Sequence, residues 1–257
     1  MTVPGDLARV AASARLLVAL DFDGTLAPTV DEPMTARMLP AARRAVDALV
    51  AAPATTVALI SGRALADLRV IAEHTDDSPI LLAGSHGAEV WPDASAGAPT
   101  PAEQTLRDEL VAEARRIVQD TPGAWIEPKT FGFGVHTRLS APAAGQSAHD
   151  SVDALMAASA PGWRRRKGHD LVEYAFRDTG KDGALARLRA QTRATAVVFA
   201  GDDVTDEDAM AALGPDDLGI RVGPGPSHAR LRVADPAELA ELLARLAEAR
   251  EAARTTA

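Results

Sequence analysis

The stretch "LLVALDFDGTLAP", Leu16 to Pro28, decides the reading of this chain. Five apolar residues, Leu16 to Leu20, run straight into Asp21 and Asp23, followed by Gly24, Thr25 and Leu26. A run that is apolar on both faces fits a strand in a parallel sheet covered by helices. It ends by placing two like charges at one small space. Two carboxylates about 4 Å apart repel by roughly 1–4 kcal/mol over effective dielectrics of 80 to 20. A shared proton, a bound cation or divergent side chains would relieve this, and so would a turn in which both carboxylates cap backbone amides.

Working outward, four more runs have strand length and two apolar faces: "TTVALI" (55–60), "PILLAG" (79–84), "TAVVFA" (195–200) and "LGIRV" (218–222). Amphipathic segments at 40–52, 64–73, 182–191 and 236–252 lie between and after them. The last opens on Asp235-Pro236-Ala237-Glu238, a capping pattern with proline at the first helical position. Strands alternating with helices predict an α/β core with a parallel sheet.

The middle of the chain breaks the alternation. After the linker "DASAGAPTP" (93–101), Thr100-Pro101-Ala102-Glu103 caps a helix carrying Leu106, Leu110, Ile117 and Val118. Two strand-like runs follow, 124–129 and 133–139, with a turn around Thr130–Gly132; then come a helix at 147–159 and two more runs, "WRRRK" (163–167) and "DLVEYAF" (170–176). The order α-β-β-α-β-β predicts an α+β domain, residues 100–177, inserted into a core formed by 1–99 and 178–257. Alternation along these strands sets Ile126, Phe133, Val135, Leu139, Val172, Tyr174 and Phe176 on one face. It sets Glu127, Lys129, His136, Arg138 and Glu173 on the other, as a solvated surface or as a roof over a polar ligand.

Composition narrows the function classes. The chain has 257 residues, 47% hydrophobic and 25% charged, with a net charge of −9 that disfavours nucleic acid and anionic lipid. The absence of cysteine removes disulfides, thiolate metal sites and cysteine nucleophiles, and fits a reducing compartment. The N-terminus carries an acid and two arginines where a signal peptide needs an apolar core, and no run approaches a membrane span. A cytoplasmic monomer with no nucleic-acid or membrane partner is the expectation. "WRRRK" in so acidic a chain reads as a solvated face or rim.

Ligands of open α/β sheets sit outside the carboxyl ends of the strands, where Asp21 and Asp23 lie. "ISGR" brings Ser61, Gly62 and Arg63 to the end of the second strand, where a helix start can hold an anion or Ser61 can simply cap it. Lys181 stands ahead of a helix N-terminus, a place the helix dipole makes unfavourable for a cation unless an anion is near. "GDDVTDEDAM" (201–210) follows another buried strand; its Asp206 to Asp208 suit a first helical turn, while Asp202 and Asp203 sit at the strand end itself. An all-oxygen set of this kind points to Mg2+ shared with a phosphoryl group.

In that order, "DFDGTL", "SGR", Lys181 and "GDDVTDED" resemble the four motifs of the haloacid-dehalogenase-like phosphohydrolases. "LLAGSHGAEVW" (81–91), "IEPK" (126–129), "HTR" (136–138), "LVEY" (171–174) and "GKDGALARL" (180–188) resemble the trehalose-6-phosphate phosphatases among them, and the likeness covers residues 15–245. The resemblance implies a Rossmann-like three-layer core with an inserted cap, and hydrolysis of trehalose 6-phosphate. It implies Asp21 as nucleophile and Asp23 as general acid and base. Mg2+ would be held by Asp21, the Asp23 carbonyl and Asp202, with Asp203 and Asp206 orienting its waters or Lys181. Gly24, Thr25, Ser61, Gly62, Arg63 and Lys181 would bind phosphate, and His86, Gly87, Glu127, Lys129, Arg138 and Glu173 the sugar.

Overall fold

The structure, a computed structural model, describes residues 5–92, 98–168 and 170–255; residues 93–97 of the expected linker lie outside it. The chain divides into two compact units, Met1–Ser95 with Thr179–Ala257, and Ala96–Asp178.

The first unit is built on α1 (Gly5–Ala11), β1 (Leu16–Leu20), α2 (Pro40–Ala51), β2 (Thr55–Ile60), α3 (Leu65–Ile71), β3 (Leu81–Gly84) and β4 (Glu89–Trp91). The second unit interrupts it with α4 (Pro101–Val118), β5 (Trp125–Lys129), β6 (Gly132–His136), α5 (Pro142–Ser159), β7 (Arg164–Gly168) and β8 (Leu171–Ala175). The first then resumes with α6 (Lys181–Thr192), β9 (Ala196–Gly201), α7 (Val204–Ala211), β10 (Leu218–Val222), β11 (Leu231–Val233) and α8 (Pro236–Thr255).

In the first unit the strand order is β11-β10-β9-β1-β2-β3-β4, parallel throughout except for β4. Every residue of β1, β9 and β10 is buried, the signature of strands covered on both faces. Alternation sorts their side chains into two layers. Leu16, Val18 and Leu20 pack with Leu7, Val46, Leu49, Leu68 and Leu243 from α1, α2, α3 and α8. Leu17 and Ala19 pack with Leu185, Leu188 and Met210 from α6 and α7. The result is a three-layer Rossmann-like sandwich whose central strand, β1, ends at Asp21.

The second unit is a four-stranded antiparallel sheet, β5-β6-β8-β7, with α4 and α5 on one face. The expected box caps α4: Glu103 donates its amide to Thr100 Oγ1 at 3.3 Å, and the Thr100 amide donates to Glu103 Oε2 at 2.8 Å. Register aligns Ile126 with Val135 and Val172 on the packed face, and Glu127 with Gly134, Glu173 and Arg166 on the other. The packed face differs from expectation at one place. The strand ends at His136, a turn closes with the Ser140 amide on the Thr137 carbonyl, and Leu139 is exposed rather than packed. The helix expected from 147 starts at Pro142, in the first-turn position where a missing N–H costs nothing. "WRRRK" falls on the edge strand β7, where positive charge discourages pairing with other chains.

Candidate active site

Asp21 leaves β1 still in register, its amide donating to the Ala200 carbonyl of β9 at 2.9 Å. The chain then turns sharply: the amides of Leu26 and Ala27 donate to the Phe22 carbonyl, and the Gly24 amide to the Ala27 carbonyl. Gly24 has φ +74°, and a Cβ on it would lie 2.0 Å from Asp202 Oδ2, so glycine alone permits this approach of the two strand ends.

Three acids and a lysine meet there. Lys181, the first residue of α6, donates to Asp21 Oδ1 at 2.7 Å and to Asp206 Oδ1 at 2.6 Å. All three are buried, at 3%, 4% and 0% exposure. Thr25 Oγ1 lies 3.2 Å from both Asp21 Oδ2 and Asp202 Oδ1 and has one hydrogen to share between them. Asp206 Oδ2 accepts from the amides of Asp202 and Asp203 at 3.0 and 2.9 Å. Both its oxygens are thus engaged by protein donors, which suits it to hold Lys181 and the β9–α7 turn in place.

Charge is unbalanced in this cluster. Burial pushes the Asp21 carboxyl well above the usual carboxylate range; Lys181 opposes this, and Asp206 and Asp202 reinforce it. Burial and then Asp206 lift Asp202 to about 6. Burial works against the charge of Lys181, but Asp206 and Asp21 outweigh it and hold the ammonium above the ordinary lysine range. Among the described residues, Asp21, Asp202 and Asp206 each present a carboxylate oxygen within 4.8 Å of the others. Hard oxygen donors short of positive charge fit a divalent cation such as Mg2+. The carboxylates of Asp23 and Asp203 fall outside that group.

The Ser61-Gly62-Arg63 loop follows β2. The helix there begins at Leu65, not at the loop, and the amide of Leu65 donates to Glu89 Oε2, so no anion is needed to satisfy it. Ser61 is buried and its Oγ accepts the Arg63 amide at 3.1 Å. The Arg63 guanidinium grips Asp23, Nε to Oδ2 and Nη2 to Oδ1, at 2.6 Å each. The arginine expected at phosphate therefore engages the partner aspartate. His86 is buried, its amide donating to the Ser61 carbonyl, and its ring lies so close to Gly62 that a Cβ there would be 2.8 Å from Cε1 and Nε2. Gly87 is beside it, with φ +97°.

In the second unit, the open sheet face gathers the remaining expected residues. Lys129 pairs with Glu173 and lies 3.7 Å from Glu127, which accepts from His136 Nε2 at 2.8 Å. For Glu127, burial would raise the carboxyl, but His136 and then Lys129 outweigh it and hold it below the usual range. Arg138 lies over Trp125 at 5.4 Å, and Trp125 stacks on His136 at 4.4 Å. Trp125 joins this row, and alternation with Glu127 and Lys129 was the signal that could have found it.

With this geometry in hand, the comparisons with known proteins are specific: the sequence matches the trehalose-phosphatase family over residues 19–236. The chain belongs to the trehalose-phosphatase family. It is similar to a trehalose-phosphate phosphatase of Mycobacterium ulcerans, 32% identical over 91% of this chain and 62% of that one. It is also similar to an uncharacterized glycosyl hydrolase of Mycobacterium tuberculosis, 35% identical over 96% of this chain and 19% of that protein. The chain thus spans less than two thirds of the length of these curated relatives. The C-terminal domain of a Candida albicans trehalose-6-phosphate phosphatase superposes with a TM-score of 0.79 at 21% identity, covering 96% of this chain and 97% of that one, a likeness of fold. For a member of this family the matched span, 19–236, takes in every residue of the acidic cluster and of the open sheet face. No described helix is long and apolar enough to cross a membrane.

Proposed function

We propose that the protein is a Mg2+-dependent phosphatase that hydrolyses trehalose 6-phosphate through an aspartyl-phosphate on Asp21. The observation that carries this reading is the buried Asp21 at the end of β1, held by Lys181 and Thr25 beside Asp202, in a chain of the trehalose-phosphatase family.

Asp21 attacks phosphorus: its carboxylate oxygen forms a bond to phosphorus as the bond to the sugar oxygen breaks, which splits one hard hydrolysis into two easier displacements. Lys181 and Thr25 fix the carboxylate and, with the amides after Asp23 and with Ser61, meet the charge on the phosphoryl oxygens. Asp23 gives a proton to the departing sugar oxygen and later takes one from the water that releases phosphate and restores Asp21. While Arg63 holds both of its oxygens, Asp23 is an acceptor only, so one of those contacts opens before it can donate. Asp21 and Asp202, with the Asp23 carbonyl, would hold Mg2+; when bound, it offsets the repulsion between carboxylate and phosphate. On the second unit, Glu127, Lys129, Glu173 and Arg138 bind sugar hydroxyls, each of which can donate and accept. A cytoplasmic, monomeric enzyme with a small-molecule substrate fits the composition.

Phosphate release from trehalose 6-phosphate, glucose 6-phosphate, sucrose 6-phosphate and p-nitrophenyl phosphate, with Mg2+ and with EDTA, tests the reading. Mg2+-dependent preference for trehalose 6-phosphate is expected. A preference for another sugar phosphate would overturn the substrate, and turnover undiminished by EDTA would overturn the metal.

A further inference from the structure

Three consecutive residues after β3, Ser85, His86 and Gly87, have φ of +49°, +54° and +97°. Glycine adopts this left-handed conformation freely, but serine and histidine do so only where surrounding contacts hold them. Those contacts are on view. The Ser85 amide donates to the Arg63 carbonyl at 2.6 Å, and the His86 amide to the Ser61 carbonyl at 2.9 Å, so the turn is stitched to the Ser61-Gly62-Arg63 loop. Arg187 of α6 donates to the Gly87 carbonyl at 2.6 Å. Glu89, at the start of β4, accepts from Ser85 Oγ at 2.6 Å and from the Leu65 amide at 3.0 Å through one oxygen, Oε2.

Leu65 is the first residue of α3, and Ala64 before it has no side chain with which to cap the helix. Glu89 does that work from a different strand. One carboxylate oxygen therefore ties the strained turn to the start of α3, and the two segments it joins bracket the loop whose Arg63 grips Asp23 and whose Gly62 carries the ring of His86.

We infer that Glu89 is a positioning residue for the reaction: it holds the 85–87 turn against the start of α3 and so fixes Arg63, and through it Asp23, together with His86. The inference rests on the function proposed above, for which Asp23 is the acid and base. The bonds of Glu89 that carry this inference go to Ser85 and Leu65, not to the reacting groups. A displacement of about 1 Å at such a centre can cost about 10²-fold in rate.

The test compares wild type with E89A, E89Q and S85A, reading kcat and KM on trehalose 6-phosphate and on p-nitrophenyl phosphate, circular dichroism, and hydrogen exchange at the Leu65 amide. In E89A, kcat is expected to fall roughly 10–100-fold on both substrates with the fold retained, and Leu65 exchange to rise at least about tenfold. E89Q, whose carbonyl oxygen can accept both bonds, is expected to stay within about threefold of wild type. S85A keeps the bond to Leu65 and should give an intermediate loss of kcat. Should E89A fail to fold, E89Q and S85A carry the same comparison. Wild-type kcat in E89A, or E89Q as impaired as E89A, would overturn the inference, and so would Leu65 exchange unchanged in E89A. Wild-type turnover of the aryl phosphate without trehalose 6-phosphate would instead sink the substrate assignment, leaving Glu89 to be judged on the aryl ester and on Leu65 exchange.

Discussion

Replacing Asp202 by Asn should stabilise the metal-free protein, which is the opposite of what most substitutions at a buried polar site do. The carboxyl of Asp202 has an ordinary value of 3.8 and is raised to about 6 by burial and then by Asp206. Raising it means that folding is opposed once the carboxylate is charged. Below about pH 4 the group is protonated in both states and there is no penalty. Between about 4 and 6 the folded chain keeps a proton that the unfolded chain has lost, so stability falls as pH rises, and above about 6 the full penalty applies. The displacement from 3.8 to about 6 corresponds to about 3 kcal/mol, which partial exposure of the side chain reduces to about 1–3 kcal/mol.

Asn is nearly isosteric, keeps an acceptor for Thr25 Oγ1 and carries no charge. In EDTA at about pH 7.5, D202N should therefore unfold about 2–12 °C higher than wild type, at about 2–4 °C per kcal/mol for a chain of this size. The gap should close as the pH is lowered towards about 4. Millimolar Mg2+ should reverse the order, since a cation that binds only the folded state stabilises it and Asp202 is one of its expected holders. The assay is thermal unfolding of both proteins over this pH range, with EDTA and with Mg2+. D202N melting at or below wild type in EDTA near pH 7.5 would refute the claim that this cluster is short of positive charge.

Asp21→Asn should lower turnover at least about 10³-fold on every substrate, since the amide is no nucleophile, and no phosphate should become covalently attached to the variant under acid quench. Glu127→Ala removes the acceptor facing His136 and a neighbour of Lys129; kcat/KM should fall at least about tenfold on trehalose 6-phosphate and less than about threefold on p-nitrophenyl phosphate, and equal losses would refute a sugar-binding role. Arg250, 5% exposed on α8, donates to the carbonyls of Ala11, Ser13, Pro53 and Ala54 and to Thr55 Oγ1, tying the last helix to the loops before β1 and β2. Arg250→Met takes this donor from the Ala11 and Ser13 carbonyls, while Ala54 keeps the Leu16 amide and Pro53 the Thr55 hydroxyl, and should cost about 2–5 kcal/mol in urea unfolding, with turnover at 25 °C intact.

Where the sequence was legible, a single physical demand left a local mark. Burial on both faces made β1 and β9 apolar without interruption, and β2 and β10 nearly so, so their ends, and the acids placed there, could be read directly. The alternation in β5 and β8 separated Glu127, Lys129 and Glu173 from Ile126, Val172 and Tyr174 for the same reason. The strands that escaped, β4 and β11, are three residues each at the two edges of the sheet, too short for a period of two to register. The early turns of α5, Pro142 to Ser147, hold no large apolar side chain, so only the proline marked the start.

The site divides along the same line. Motif chemistry located Asp21 and Asp202, because charge at the end of a buried strand is anomalous in the sequence itself, and Lys181, because a cation at a helix N-terminus is anomalous too. What Arg63 and Glu89 do is invisible there, because each acts on a residue from another element: Arg63 on Asp23, 40 positions away, and Glu89 on Leu65, 24 positions away. An exposed-looking acid between Ala88 and Val90 is unremarkable until the fold brings an uncapped helix start to it. The residues proposed to react carry their own signature, whereas those that aim them borrow theirs from the partner. A site read from motifs alone is therefore biased towards the reacting groups and blind to the ties that position them, and Glu89 is the tie whose loss should be felt at Asp23.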